Sequence, residues 1–255
     1  MRELALIGIG TGNPDHLTYQ ATKAINAAQL ILIPRKGPDK AELADLRRQI
    51  CGRVLTNPGT RILEFDLPRR DSAHPDYKAG VFDWHDAVAA AWAAALATQG
   101  PNADGSGSFE RVALLIWGDP GLYDSALRIA ERLTPRPSLR IVPGITAIQA
   151  LTAAHGVSLN AIGSPFLVTT GRRLRDSGWP EGVDTLVVML DGDCAFQSLP
   201  SAGVRIWWGA YLGMAEELLF SGALADVASE IVTARAEARA RHGWIMDTYL
   251  LRRDA

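Results

Sequence analysis

The strongest constraint on this chain is a change of rhythm near its start. ELALI at 3 to 7 is a short apolar run that stops at Gly8, as a buried strand does, and GIGTGNP at 8 to 14 turns the chain. Thr18 then caps a helix through Ala28, with Leu17, Ala21, Ala24, Ile25 and Ala28 along one side. LILI at 30 to 33 is a second strand, ended by Pro34. Strand, glycine turn, helix and strand within about thirty residues make a βαβ unit, and the crossover makes the two strands parallel.

The pattern recurs. ILEF at 62 to 65 reads as a strand, and a helix from about Asp83 carries Trp84, Val88, Trp92 and Leu96 at i+4 spacing until Gly100-Pro101 ends it. That stripe is core rather than a cofactor box. NADGSGS at 102 to 108 reads as a flexible turn. VALLIW at 112 to 117 enters GDPGLYDSALRIAERL, and LRIV at 139 to 142 enters PGITAIQALTAAHG. Strands therefore alternate with helices to about residue 157, which predicts a mostly parallel sheet covered on both faces. VSLNAIGSP at 157 to 165 is the expected hinge. After it come FLVTT, TLVVML, VRIWWG, a helix near 214 to 220, and strand candidates at 227 to 233 and 244 to 251. The expected fold class is α/β in two domains: 1 to 158 with the parallel sheet, and 159 to 255 with a mixed one.

Composition removes several functions. At 255 residues the chain is long enough for one large domain or two modest ones. A net charge of -2 argues against a nucleic-acid binder, whose surface would be basic. No basic-then-apolar leader opens the sequence, and no apolar run reaches the roughly 18 residues that span a bilayer, so no membrane is expected. Cys51 and Cys194 stand far apart, as free thiols in a reducing cytoplasm do. Five scattered histidines, with no HxxxH and no CxxC, predict no metal.

In an open parallel sheet, ligands bind beyond the carboxyl ends of the strands. Three loops leave strands there: GIGTGNP, WGDPGLYD and PGIT. Each combines Gly with Pro, so that backbone can approach a ligand in a fixed turn. The first loop is no dinucleotide fingerprint. G-x-G-x-x-G needs its third glycine one residue later than Gly12, where Asn13 stands. Strand two ends in Pro34, Arg35 and Lys36, with no acidic residue for a ribose hydroxyl, so an NADP reading rests on Arg35 alone.

The same residues carry a resemblance. The chain resembles the tetrapyrrole (corrin and porphyrin) methyltransferases through LIGIGTGNPDHLT, GDPGLY at 118 to 123 and PGITA at 143 to 147. Many members carry G-P-G-D in the first loop, where this chain has Gly10, Thr11, Gly12 and Asn13. That departure, with YDSALRI at 123 to 129 and TTGRRL at 169 to 174, points to the deacetylating branch. The resemblance implies the tetrapyrrole methylase fold, with S-adenosylmethionine folded in a cleft between two α/β domains of a homodimer. It places the cofactor against Gly10, Thr11, Gly12, Trp117, Gly118, Asp119, Leu122, Tyr123, Thr146 and Ala147, and more loosely against Met189, Leu190, Gly209 and Ala210.

The implied reaction methylates precorrin-5 at ring carbon C1, with loss of a two-carbon fragment as acetate. Asp119, Tyr123 and His16 are the candidate catalytic residues, although Asp119 also suits a helix cap and Tyr123 also suits packing. Arg35, Lys36, Arg172 and Arg173 are the candidate cations for the acetate and propionate rim of the macrocycle, or else solvated charge. His155, closing an apolar helix, reads as structural. Another precorrin methyltransferase of the family, an NADP-linked oxidoreductase and a non-catalytic tetrapyrrole carrier remain open alternatives.

Overall fold

The structure, a computed structural model, describes residues 1–35, 37, 41–71, 74–99 and 109–253. Lys36, Gly100-Pro101 and the turn expected at 102 to 108 lie outside the described residues. The chain packs as two units, Met1–Gly10 with Pro14–Thr146 and Thr11–Asn13 with Ala147–Ala255.

The first unit runs β1 (Glu3–Gly8), α1 (Tyr19–Ala27), β2 (Leu30–Arg35), α2 (Ala41–Val54), β3 (Arg61–Asp66), α3 (Tyr77–Ala97), β4 (Arg111–Ile116), α4 (Ala126–Ala130) and β5 (Ser138–Val142). Its five strands lie in the order β3-β2-β4-β1-β5, and every pairing is parallel. Alternate side chains serve opposite faces, as the pleat requires. Ala5, Ile7, Ile31, Ile33, Ala113 and Leu115 pack against α1 and α2. Leu4, Leu6, Leu30, Leu32, Val112 and Leu114 pack against α3 and α4. Each fully buried Leu or Ile contributes about 1.5–3 kcal/mol of hydrophobic stabilisation.

Helices α1 and α3 start at side-chain caps. Thr18 Oγ1 accepts the Ala21 N–H at 3.0 Å, as the sequence predicts. Asp76 caps α3 by accepting the Lys78 and Ala79 N–H groups, about two turns earlier than the expected start at Asp83. Val88 and Trp92 of the tryptophan stripe are buried in the core, and the half-buried Trp84 donates its indole N–H to Pro68 O at 3.1 Å. Helix α2 has no counterpart in the expectations from sequence. Its buried stripe is Leu43, Ala44, Arg47, Ile50 and Cys51, and the arginine in the middle interrupts the apolar pattern.

The second unit contains α5 (Ala147–His155), β6 (Leu167–Thr170), α6 (Gly171–Ser177), β7 (Thr185–Met189), β8 (Val204–Ala210), β9 (Leu218–Ala223), α7 (Leu224–His242) and β10 (Asp247–Arg253). The sheet order is β6-β7-β10-β8-β9, with β6 and β7 parallel and the other pairs antiparallel. The fold is therefore α/β with one parallel and one mixed sheet, as the sequence predicts. His155 is structural, with Nε2 3.0 Å from Trp208 O.

Two local expectations are corrected. The helix expected near 214 to 220 is a turn leading into β9. Glu217 Oε2 accepts the Gly213 N–H at 2.6 Å and closes that turn, and pairing with β8 overrides the helix propensity of the run. The strand expected at 227 to 233 lies inside α7, where Leu224, Ile231, Arg235 and Ala238 bury one helical face. Val227, Ile231 and Val232 suggested a strand, and tertiary packing outweighs so weak a preference. No helix of the described residues is long and apolar enough to cross a membrane.

His85 on α3 gives the first unit a pH dependence. It is 2% exposed, and neither ring nitrogen has a hydrogen-bond partner among the described residues. Burial, followed by the charges of Arg132 and Arg128, lowers its pKa, so the folded state holds it neutral. Unfolded chain takes up this proton near the ordinary value of about 6.5, so stability is complete above that pH and falls as the pH drops through and below it. Thermal melts from about pH 7.5 to about pH 5 should fall more steeply for the parent than for His85→Leu. Parallel slopes would show that His85 does not set this dependence.

Candidate functional site

Strand order decides what comes together. β4, β1 and β5 are neighbours, so the loops after residues 116, 8 and 142 leave the sheet side by side at its carboxyl end. The chain leaves β1 toward the face of α1, and it leaves β4 toward the opposite face of α4. A crevice opens where such exits diverge.

The three loops are interlocked through backbone. Gly118 N donates to Gly10 O at 2.7 Å, and Gly10 N donates to Gly118 O at 3.4 Å. A Cβ at Gly8 would stand 2.6 Å from Gly144 N and 2.7 Å from Gly118 O, and one at Gly144 would overlap Gly118 O. Asp119 fastens the same junction. Its Oδ1 accepts the Gly121 N–H at 2.7 Å and its Oδ2 accepts the Gly144 N–H at 2.9 Å, joining the second loop to the third. It does not cap α4, whose first amide, Ala126 N–H, donates to Asp124 Oδ1 at 2.6 Å.

Other candidates of the first unit surround this junction. His16, in a short 3-10 turn over Pro14–His16, packs its Cβ where a Gly10 side chain would have to go, 2.6 Å away. Leu122 N donates to Asp119 O at 3.2 Å, and Tyr123 follows with φ +52° and 44% exposure. Partial burial raises the Tyr123 phenol above its ordinary pKa, so it is a neutral hydroxyl at physiological pH. Trp117 keeps its Nε1 buried with no partner among the described residues. A Cβ at Gly118 would have only Thr146 Cα, 3.7 Å away, and Ile145 O, 4.0 Å away, within contact range, so this backbone is an open cradle. Arg35 is engaged elsewhere: its Nε and Nη2 donate to the two oxygens of Asp66 at 3.0 and 2.9 Å.

The remaining candidates belong to the second unit. Thr11 Oγ1 donates to Leu212 O at 2.7 Å, and Gly12 beside it is buried. Ala147 opens α5. Met189 ends β7, and Leu190 follows with φ +53° and 64% exposure. Ala210 is fully buried, and a Cβ at Gly209 would meet Leu212 Cδ2 at 2.6 Å, so packing within the unit accounts for both. Arg172 and Arg173 lie exposed on α6, where Thr170 Oγ1 accepts the Arg173 N–H.

Two buried polar groups escaped the sequence reading. Arg47 lies against the Trp117 ring, 5.2 Å from its centroid, and donates to Leu115 O and Leu43 O. Burial lowers its pKa to about 10, against the pull of Asp124, so it stays charged at neutral pH. In the second unit Arg235 pairs with Asp247 at 2.9 Å, and Asp191 accepts the Tyr249 hydroxyl at 2.6 Å. Burial raises the Asp247 pKa, opposed by its bonds to Arg235 and Trp208. An arginine within ARAEARAR and an aspartate within LDGDC carry no spacing that would single them out. Among the described residues, no three His, Cys, Asp or Glu side chains gather as a metal site would.

Comparison with known proteins agrees with this fold. The sequence profile of the tetrapyrrole (corrin/porphyrin) methylases matches residues 3–228. A precorrin-6A synthase (deacetylating) from Sinorhizobium sp is 46% identical over 259 residues, covering 100% of this chain and 97% of its own. A cobalamin-synthesis-related protein of Corynebacterium diphtheriae superposes with a TM-score of 0.80 at 36% identity, over 100% of each chain. The uroporphyrin-III C-methyltransferase of Thermus thermophilus, complexed with S-adenosylhomocysteine, shares the fold at a TM-score of 0.56 and 17% identity, over 98% of this chain and 96% of its own. With the profile spanning most of its length, the chain belongs to the tetrapyrrole (corrin/porphyrin) methylase family.

Proposed function

We propose that this protein is an S-adenosylmethionine-dependent C-methyltransferase of cobalamin (vitamin B12) biosynthesis that converts precorrin-5 to precorrin-6A by methylation at C1 with release of acetate. The full-length match to a precorrin-6A synthase carries this reading, and the interlocked loop junction supports it. The cradle fits the cofactor chemically. Gly118 offers open backbone, Trp117 holds a buried N–H with no partner among the described residues, and the exposed Tyr123 is a surface a nucleoside would cover. S-adenosylmethionine supplies the methyl group from a sulfonium, which an electron-rich ring carbon attacks in line.

The chain's own part is orientation and exclusion of water, which favour a reaction that discharges a cation. Asp119 acts by fixing the loops, since both its oxygens accept backbone N–H groups. Tyr123, a neutral phenol, is positioned as a donor, and His16 shapes the first loop against Gly10. Met189 and Leu190 are assigned to the cofactor, and Arg172 and Arg173 to substrate carboxylates. Loss of acetate is assigned to attack by water, because the sequence shows no Ser-His-Asp signature for an acyl-enzyme. The working form in this reading is a cytoplasmic homodimer without a resident metal.

Purified protein given labelled S-adenosylmethionine and a precorrin mixture should release acetate and S-adenosylhomocysteine one to one, with oxygen from water entering the acetate. Acetate formed without S-adenosylmethionine would reveal a separate hydrolytic site. A methylated product that keeps its two-carbon fragment would assign the chain to another step. Calorimetry should show binding of S-adenosylhomocysteine and none of NADPH; the reverse would reject the methyltransferase reading.

Replacing Asp119 by Ala should cost about 2 kcal/mol of stability, because two amide hydrogen bonds lose a charged acceptor. The affinity for S-adenosylhomocysteine should fall at least about tenfold as the loops separate. Titration of a still-folded variant with unchanged affinity would remove Asp119 from the site.

A further inference from the structure

Leu190 is an anomaly of backbone and exposure together. It stands directly after β7 with φ +53°, a conformation that a branched side chain adopts at a cost, and yet the side chain is 64% exposed. An exposed leucine gains little from packing that would offset such strain. Something else must hold it there.

The next residue does so. Asp191 is 5% exposed, and every polar atom of its side chain is engaged. Oδ2 accepts the Tyr249 hydroxyl at 2.6 Å and the Ala195 N–H at 2.6 Å, while Oδ1 accepts the Asp193 N–H at 3.1 Å. The Asp191 carbonyl accepts Arg235 Nη2 at 2.7 Å, and Arg235 is itself anchored to Asp247. Tyr249 is fixed from its other side by an edge-on contact with Phe196, at 5.2 Å between centroids. Gly171 completes the fit: a Cβ there would overlap Asp191 Oδ1, and the neighbouring Thr170 pairs with Met189 across β6 and β7.

The geometry points to Asp191 as a positioning residue, whose buried carboxylate holds the Leu190 turn in its left-handed conformation so that Leu190 is presented to the cofactor. This inference rests on the cofactor assignment made above for Leu190. An asparagine at 191 has the same size but replaces one acceptor oxygen by a donor. That donor would face N–H and O–H groups that are donors already. The turn would then relax toward an ordinary conformation and withdraw Leu190.

A double-mutant cycle separates positioning from general loosening. Glycine adopts the left-handed conformation without strain, so the turn in a Leu190→Gly variant needs no such lock. Asp191→Asn should weaken S-adenosylhomocysteine binding about tenfold in the Leu190 background and less than about twofold in Leu190→Gly, measured by calorimetry. Tyr249→Phe, which keeps the ring against Phe196 and removes one donor, should show the same dependence on background at smaller size. Equal losses in both backgrounds, or no loss in either, would overturn the positioning role while parent binding leaves the cofactor reading intact. A parent protein that binds no S-adenosylhomocysteine would instead overturn the cofactor reading, and this inference with it.

Discussion

Parallel strands in a sheet lie about 4.8 Å apart. Just beyond β4, β1 and β5 the three main chains still touch before the loops part, because Gly8 and Gly144 carry no side chain where the Gly118 carbonyl lies. The Gly10–Gly118 bridge extends hydrogen bonding past the sheet, and the Asp119 carboxylate binds amides on two of the loops. The residues assigned to the cofactor in the first unit all hang from this junction. Their geometry is therefore set by close-packed main chain, which has few ways to relax.

Most of the first unit was legible before the structure because its strands are continuous apolar runs and its helices carry capping residues such as Thr18. The three loops could be recognised as glycine-rich turns after strands. Their adjacency was not legible, since β1 lies between strands that follow it by more than a hundred residues, and no local pattern records that order. Helix α2 was hidden by Arg47, a buried cation that the Leu115 and Leu43 carbonyls stabilise in place of an apolar residue. In the second unit the mixed sheet blurs the alternation. Local propensity at 227 to 233 and near 214 to 220 gave way to helix packing in one place and to pairing with β8 in the other.

Strained backbone at Leu190, Cys194 and Tyr211 is paired with a buried polar anchor. Tyr211, at φ +52° after β8, donates its hydroxyl to Trp244 O at 2.6 Å and stacks edge-on against that ring. Cys194, at φ +55°, precedes the Ala195 amide that Asp191 accepts, and its thiol is buried with a pKa raised to about 11, which makes it inert as a nucleophile. Such conformations cost on the order of 1–3 kcal/mol each and persist only where neighbours over-determine them. Tyr123 and Leu190 differ in that the strained side chain is exposed. At those two positions packing of the side chain does not offset the conformational cost.

The place of β10 in its sheet makes the whole second sheet depend on that one strand. The first sheet has all five strands once residue 142 is made, and it can close around its own two apolar layers. In the second sheet β10 lies between β7 and β8, so residues 247–253 supply the middle of the sheet rather than an edge. Until they arrive, β6 with β7 and β8 with β9 are two separate ribbons, and two-stranded ribbons are marginal in water. Tyr249 and Asp247, which close the polar network, arrive on the same strand. The second unit therefore has its hydrophobic centre and its buried charges completed by the same strand, and neither is whole without residues 247–253.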